Sequence, residues 1–224
     1  MRFCARRWGV YALMVTGLGL SYCAAVIIGL YTARELSYDR FIPGGDQVFM
    51  ISSHFGLKDR SLVASDVGPA GLARWMRSDL RELKGVARLN PVERPMRTDR
   101  QSVKQAFYWT DPKFFEVVPL PVAYGNLKGA LSAPDNVVLT ERMAMAYFGT
   151  RNAVGRTLLV DNYLALKVTA VLKDFPASTH FDREIFASGL SENSLLHIVD
   201  ASPKRLWPTV YTYATFKAGF TFNI

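Results

Sequence analysis

The sequence predicts an α+β protein tied to a membrane by one N-terminal transmembrane helix. Two observations carry that prediction. The first is an uncharged run from Trp8 to Ala33. The second is the chain from Arg34 onward, where short strand-like runs, some adjacent as hairpins, mix with a few short helical patterns. Such a mixture argues against a doubly wound parallel sheet.

Arg2, Arg6 and Arg7 precede the apolar run, and Arg34-Glu35-Leu36-Ser37-Tyr38-Asp39-Arg40 closes it. At about 1.5 Å per residue, a helix over this run crosses a ~30 Å hydrocarbon core with length to spare. A cleaved signal peptide also starts with positive charge, but its apolar stretch is usually about 7–15 residues. Gly29-Leu30-Tyr31 also lacks a small-x-small cleavage site, and Tyr22 stands where a lipoprotein signal needs a small residue before Cys23. The run therefore reads as a retained helix. Three arginines before it, with no acidic residue in the first 33 positions, place the N-terminus in the cytoplasm by the positive-inside rule. Residues 1–7 are then cytoplasmic, 8–33 span the membrane, and 34–224 form an outer domain. Gly17, Ser21, Ala25, Gly29 and Ala33 recur every four positions, a small-residue spacing that lets a second helix approach closely in lipid.

Residues 34–224 are enough for one large domain or two small lobes. The formal charge is +8, and without the three N-terminal arginines the remaining 24 basic residues face 19 acidic ones. A moderate positive excess outside the membrane favours lipid headgroups or polar partners and argues against nucleic acid. Both cysteines, Cys4 and Cys23, lie at or within the apolar segment, so the outer domain has no disulfide.

Along the outer domain, Pro43-Gly44-Gly45 leads into a strand within Asp46 to Phe55, and Lys58-Asp59-Arg60-Ser61 breaks it. Leu72, Ala73, Met76, Leu80 and Leu83 repeat at helical spacing, predicting an amphipathic helix from Pro69 to Leu83 with Asp66 as its cap. Its basic face, Arg74, Arg77, Arg81 and Lys84, reads first as a solvated surface. Strands follow over Gly85–Glu93 and Ser102–Trp109. Thr110-Asp111-Pro112 has the chemistry of a helix start, opening a short helix through Phe114-Phe115 that Pro119 and Pro121 stop. Asn136–Leu139 is a strand, Thr140 caps the next helix, and Gly149 ends it. Thr157–Val160 and Tyr163–Leu172 flank Asp161-Asn162, a pair that tolerates the positive φ of tight turns. The period-two alternation of Leu164, Leu166, Val168, Ala170 and Leu172 predicts a strand with one buried face. Beyond Asp174-Phe175-Pro176 the chain reads as loose until a last strand at Val210–Phe216.

No catalytic constellation emerges. There is no phosphate-binding G-x-x-x-x-G-K-[ST] loop, no H-E-x-x-H and no G-x-S-x-G, so catalytic, metal and cofactor residues are all expected to be none. His54, His180 and His197 make no ligand spacing. Ser178-Thr179-His180-Phe181-Asp182 holds triad residue types, but a triad needs members from separate segments and an oxyanion hole, so it reads as a polar loop. Asp39 and Asp174 read as turn-capping aspartates with an Arg or Lys partner.

Several segments taken together are similar to a known family. Glu35-Leu36-Ser37-Tyr38-Asp39-Arg40-Phe41, directly after the membrane helix, resembles ABC transporter permeases with a MacB-like periplasmic core domain (FtsX-like permeases). Thr110-Asp111-Pro112-Lys113-Phe114-Phe115-Glu116-Val117 adds to the match. So do Asn136 through Ala144, Tyr147-Phe148-Gly149, Val154-Gly155-Arg156-Thr157 and Val168 through Pro176. The positions carrying it are Glu35, Tyr38, Asp39, Arg40, Asp111, Thr140, Gly149, Gly155, Asp174 and Pro176. The resemblance implies a two-lobed periplasmic domain with one porter-like lobe, in the cell inner membrane, with no catalytic residues of its own. It further implies a cytoplasmic ABC ATPase partner, other permease helices or a second permease copy, membrane lipid and a periplasmic adaptor protein. Family permeases return to the membrane with further helices, whereas this sequence runs out at Phe220–Ile224. That departure keeps a second reading open, a singly anchored binding or sensory module without transport activity.

Overall fold

The computed structural model describes residues 8–55, 63–97, 102–202 and 208–217. Lys58–Ser61, residues 1–7 and the C-terminal residues from 218 on lie outside that set.

Two compact units divide the chain. The first holds helix α1 (Trp8–Leu36), the turn after it through Arg40, and the segment Ala177–His180. No residue of α1 is buried, and it is the one helix among the described residues long and apolar enough to cross a membrane. It runs three residues past the apolar stretch, because Arg34, Glu35 and Leu36 are good helix formers and Ser37 N–H still donates to the Ala33 carbonyl.

The second unit, Phe41–Pro176 with the chain from Phe181 onward, is a sheet with helices on it, the α+β architecture expected. Its strands are β1 (Val48–Met50), β2 (Ser53–Phe55), β3 (Val63–Ser65), β4 (Gly68–Pro69), β5 (Leu83–Arg97) and β6 (Ser102–Thr110). They continue with β7 (Val122–Gly125), β8 (Asn136–Thr140), β9 (Thr157–Val160), β10 (Leu164–Leu172), β11 (Ile185–Ser188) and β12 (Pro208–Phe216). The helices are α2 (Leu72–Asp79), α3 (Phe114–Val117), α4 (Glu141–Phe148) and α5 (Leu195–Ala201).

Among the described residues ten strands form one sheet in the order β1-β12-β5-β6-β11-β8-β10-β7, with β4 beside β12; β2 and β3 make a separate hairpin. β9 pairs with both β10 and β5. The ladder β5-β6-β11-β8-β10-β9 therefore closes on itself. Its closing seam is short, Met96 opposite Val160 and Arg97 opposite Leu159. Pro91 and Pro95 of β5 fall between the end of the β12 pairing at Leu89 and that seam. A missing N–H there costs no ladder bond.

Both faces of the sheet are covered. Phe107, Trp109, Val137, Leu139, Ile185 and Ala187 form one core with Ala144 and Tyr147 of α4 and Leu196 and Val199 of α5. On the opposite face Leu89, Tyr108, Val138, Phe186 and Tyr213 pack with Phe114, Phe115 and Phe181. The rings of Phe114 and Phe186 stack at 5.9 Å, and Phe181 meets Phe114 edge-on.

Several expectations are corrected. The helix predicted over Pro69–Leu83 is only Leu72–Asp79, since Leu83 already opens β5, and Asp66 does not cap it: its N-cap is Gly71, with no side-chain bond. The strand predicted within Asp46–Phe55 is two, β1 and β2, separated at Ile51-Ser52. The stretch beyond Pro176 is ordered into β11 and α5. In β10 the buried face changes sides. Leu166, Val168 and Val171 enter the first core, whereas Ala170 and Leu172 enter the second. The cause is a bulge against β8, where Val168 faces Val137 and Ala170 faces Val138, leaving Thr169 as the extra residue. One inserted residue exchanges the faces of everything after it. The Thr169 hydroxyl holds the bulge by contacts to the Ala130 and Val137 carbonyls at 2.8 and 3.2 Å.

Candidate functional site

The chemistry-bearing side chains gather at three places. One belongs to the first unit and lies directly after α1. Asp39, held at φ 55°, accepts from Thr179 Oγ1 at 2.8 Å and from the His180 N–H at 3.2 Å. Its other oxygen lies 2.6 Å from His180 Nδ1. Asp39 N–H donates to the Ser178 carbonyl, and the Tyr38 hydroxyl to that of Thr179. The carboxylate thus clasps the segment 177–180. Asp39 was expected to pair with Arg or Lys; its partners are instead a histidine and a hydroxyl. Among the triad types of Ser178–Asp182, His180 is oriented by Asp39, while Asp182 accepts a hydrogen bond from the Tyr108 hydroxyl.

The second place is a buried ion cluster. Arg88 on β5 is 2% exposed. Its Nε and Nη2 grip both oxygens of Asp111 at 2.9 Å, and Nη1 and Nη2 grip Asp200 of α5 at 3.0 and 2.7 Å. Nη1 also donates to the Ala70 carbonyl. All five guanidinium donors are used. Burial alone lowers the pKa of Arg88, but the hydrogen bonds to Asp111 and Asp200 outweigh it and hold the group above its ordinary value. Asp111 does not cap α3, whose N-cap is Lys113; its carboxylate instead receives the Arg88 N–H and side chain. Arg77 stands 3.6 Å from it, and the cluster lines part of a cleft of about 620 Å³.

The third place is the start of α4. Thr140 Oγ1 accepts from the Met143 N–H and Asp174 from the Arg142 N–H, so two of the helix's free donors are met. Arg142 lies along Glu184, which also accepts from the Thr140 hydroxyl, and that contact raises the Arg142 pKa. Gly149 at φ 66° closes the helix, donating to the Met145 carbonyl, and Gly155 turns at φ 84°. Pro176 is exposed in the loop after β10.

Sequence reasoning missed Arg88, Asp200 and Glu184. One signal for Arg88 was available: it stands at an inward position of the apolar run Val86-Ala87-Arg88-Leu89, and a charge there needs a buried partner. Gly17, Ser21, Ala25 and Gly29 all lie exposed on α1, with open space around Gly17 and Gly29. Glu35 is within α1 and Arg40 is exposed beside the clasp. Among the described residues no group of three His, Cys, Asp or Glu could hold a metal ion.

A family model for the MacB-like periplasmic core domain matches residues 11–219, from within α1 to beyond β12. The chain belongs to the MacB-like periplasmic core domain family. Solved structures agree with its fold. A domain of a permease protein from Porphyromonas gingivalis superposes with a TM-score of 0.65 at 13% identity, over 82% of this chain and 78% of that one. The periplasmic region of MacB from Actinobacillus actinomycetemcomitans gives 0.53 at 15% identity, over 79% and 78%. No curated protein matches the chain. That family is one of permease periplasmic domains and not a catalytic family.

Proposed function

We propose that this chain is the membrane-anchored periplasmic domain of an ABC-type export permease, which couples ATP hydrolysis by a partner ATPase to transport or mechanical work in the cell envelope. The observation that carries the reading is the extent of the family match, residues 11–219, from within the apolar helix to beyond β12. In this reading residues 8–33 of α1 cross the inner membrane with residues 1–7 in the cytoplasm, and residues 34–224 face the periplasm. Gly17, Ser21, Ala25 and Gly29 form the stripe against which further permease helices or a second permease copy pack, in contact with membrane lipid. The junction Glu35–Arg40 carries movement between the membrane and the core domain. Asp111, Thr140, Gly149, Gly155, Asp174 and Pro176 keep that domain stiff enough to transmit it. A cytoplasmic ABC ATPase supplies the energy, and a periplasmic adaptor protein receives the work.

Capture of the tagged chain from mild detergent is expected to recover an ABC ATPase or a permease chain. Repeated capture without either refutes the reading. Protease added to spheroplasts should digest the core domain and spare an N-terminal tag; the opposite pattern reverses the orientation.

A further inference from the structure

The cleft above Arg88 has a second property. β5 pairs with β12 over Leu83–Leu89 but with β6 only from Leu89 onward. Over Leu83–Arg88 the side of β5 that continues toward β6 therefore has no strand partner among the described residues. Arg88 meets this deficit with Asp111, which takes its N–H and donates to its carbonyl. The Val86 carbonyl accepts from Arg77 Nη2 at 3.1 Å, and the Arg77 side chain is half exposed. By strand alternation the Val86 N–H faces the same way. The cleft occupies the place into which β6 would have run, with Leu83, Val86 and Val117 among its apolar lining.

Its charges are unequal. Arg77 and Arg88 are balanced by Asp111 and Asp200. That leaves Lys84 and Lys113 on the lining against Glu116, and among the described residues neither lysine has an ion pair. An open backbone edge, partly apolar walls and one surplus positive charge are complementary to an extended acidic chain.

We propose that the cleft receives an extended, acidic segment of a partner protein. The segment adds to β5 at Lys84–Val86, sets carboxylates against Lys84 and Lys113, and takes over the Val86 carbonyl as Arg77 swings away. Arg77 guards the edge until then, the role charged side chains commonly play on exposed strands. The inference goes beyond the permease reading and does not depend on which ATPase or cargo is involved.

The test uses the full chain in mild detergent and a fluorescent short peptide of alternating Glu and Val, followed by anisotropy. Saturable binding is expected, weakened at least about tenfold in Lys84→Glu/Lys113→Glu and kept in Lys128→Glu/Lys167→Glu, whose lysines are exposed outside the cleft. A peptide N-methylated at alternate residues along one edge should also lose binding, since it cannot continue a ladder. No binding, equal loss in both double variants, or equal binding of a Lys-Val peptide each overturns the proposal. Undiminished binding of both N-methylated registers overturns the strand addition. Matching circular dichroism of the variants excludes misfolding as the cause of a loss.

Discussion

Arg88 has an acceptor for each of its five N–H donors, drawn from the chain before α2, the turn after β6 and helix α5. Removing one partner from such a cluster costs more than removing all of it, because a buried charge is left behind. Arg88→Met should lower the unfolding free energy by about 3–5 kcal/mol, read by urea titration, and adding Asp111→Leu should restore part of the loss. Tyr108 makes a pH prediction. Burial first, and then the hydrogen bond to Asp182, push its phenol well above the ordinary range. A raised folded value means the contribution is complete below the unfolded pKa of about 10 and is lost as pH climbs past it. Stability should therefore fall on the alkaline side. Tyr108→Phe should flatten that fall by up to about 1.4 kcal/mol per pH unit, while Tyr147, raised by its own burial, still contributes. Urea titrations from about pH 9 to 11 measure the slope, and an unchanged slope refutes the assignment.

At the scale of elements, α4 shows why distant motif segments belong together. Thr140 enters from β8 and Asp174 from the far end of β10, and each meets a different N–H of the helix's first turn. Thr140→Ala and Asp174→Ala should each cost about 1 kcal/mol, and a double-mutant cycle should show coupling, because both changes loosen the same turn. Strictly additive losses would refute the shared role. Elements built by local chemistry were legible in sequence: the Thr140 and Gly149 caps of α4, and the turn where Asp161 and Asn162 both take positive φ. Elements decided by distant partners were not. The Thr169 bulge exists only relative to β8. β11 is buried on both faces along its whole length and so lacks the alternation that marks a strand. Asp111 has the chemistry of a helix cap, and nothing local reveals that Arg88 claims its carboxylate.

At the scale of the whole molecule, the family match and the apolar helix were readable from ordered motifs and hydropathy, but closure of the sheet was not. That closure rests on pairing β9, a four-residue strand, with the far end of β5. Strands inside the closed ladder should exchange their amide hydrogens slowly and together, whereas β1, β4 and β7 at the margins should exchange faster. Mass-resolved hydrogen exchange reads this directly, and equal protection of β7 and β8 would refute it. The short seam between Met96–Arg97 and Leu159–Val160 has one more consequence. If it parts, β5 and β9 each present a raw strand edge, and raw edges recruit other chains. Mild heating or a weakened seam should therefore first appear as concentration-dependent self-association, with most of the circular dichroism still intact.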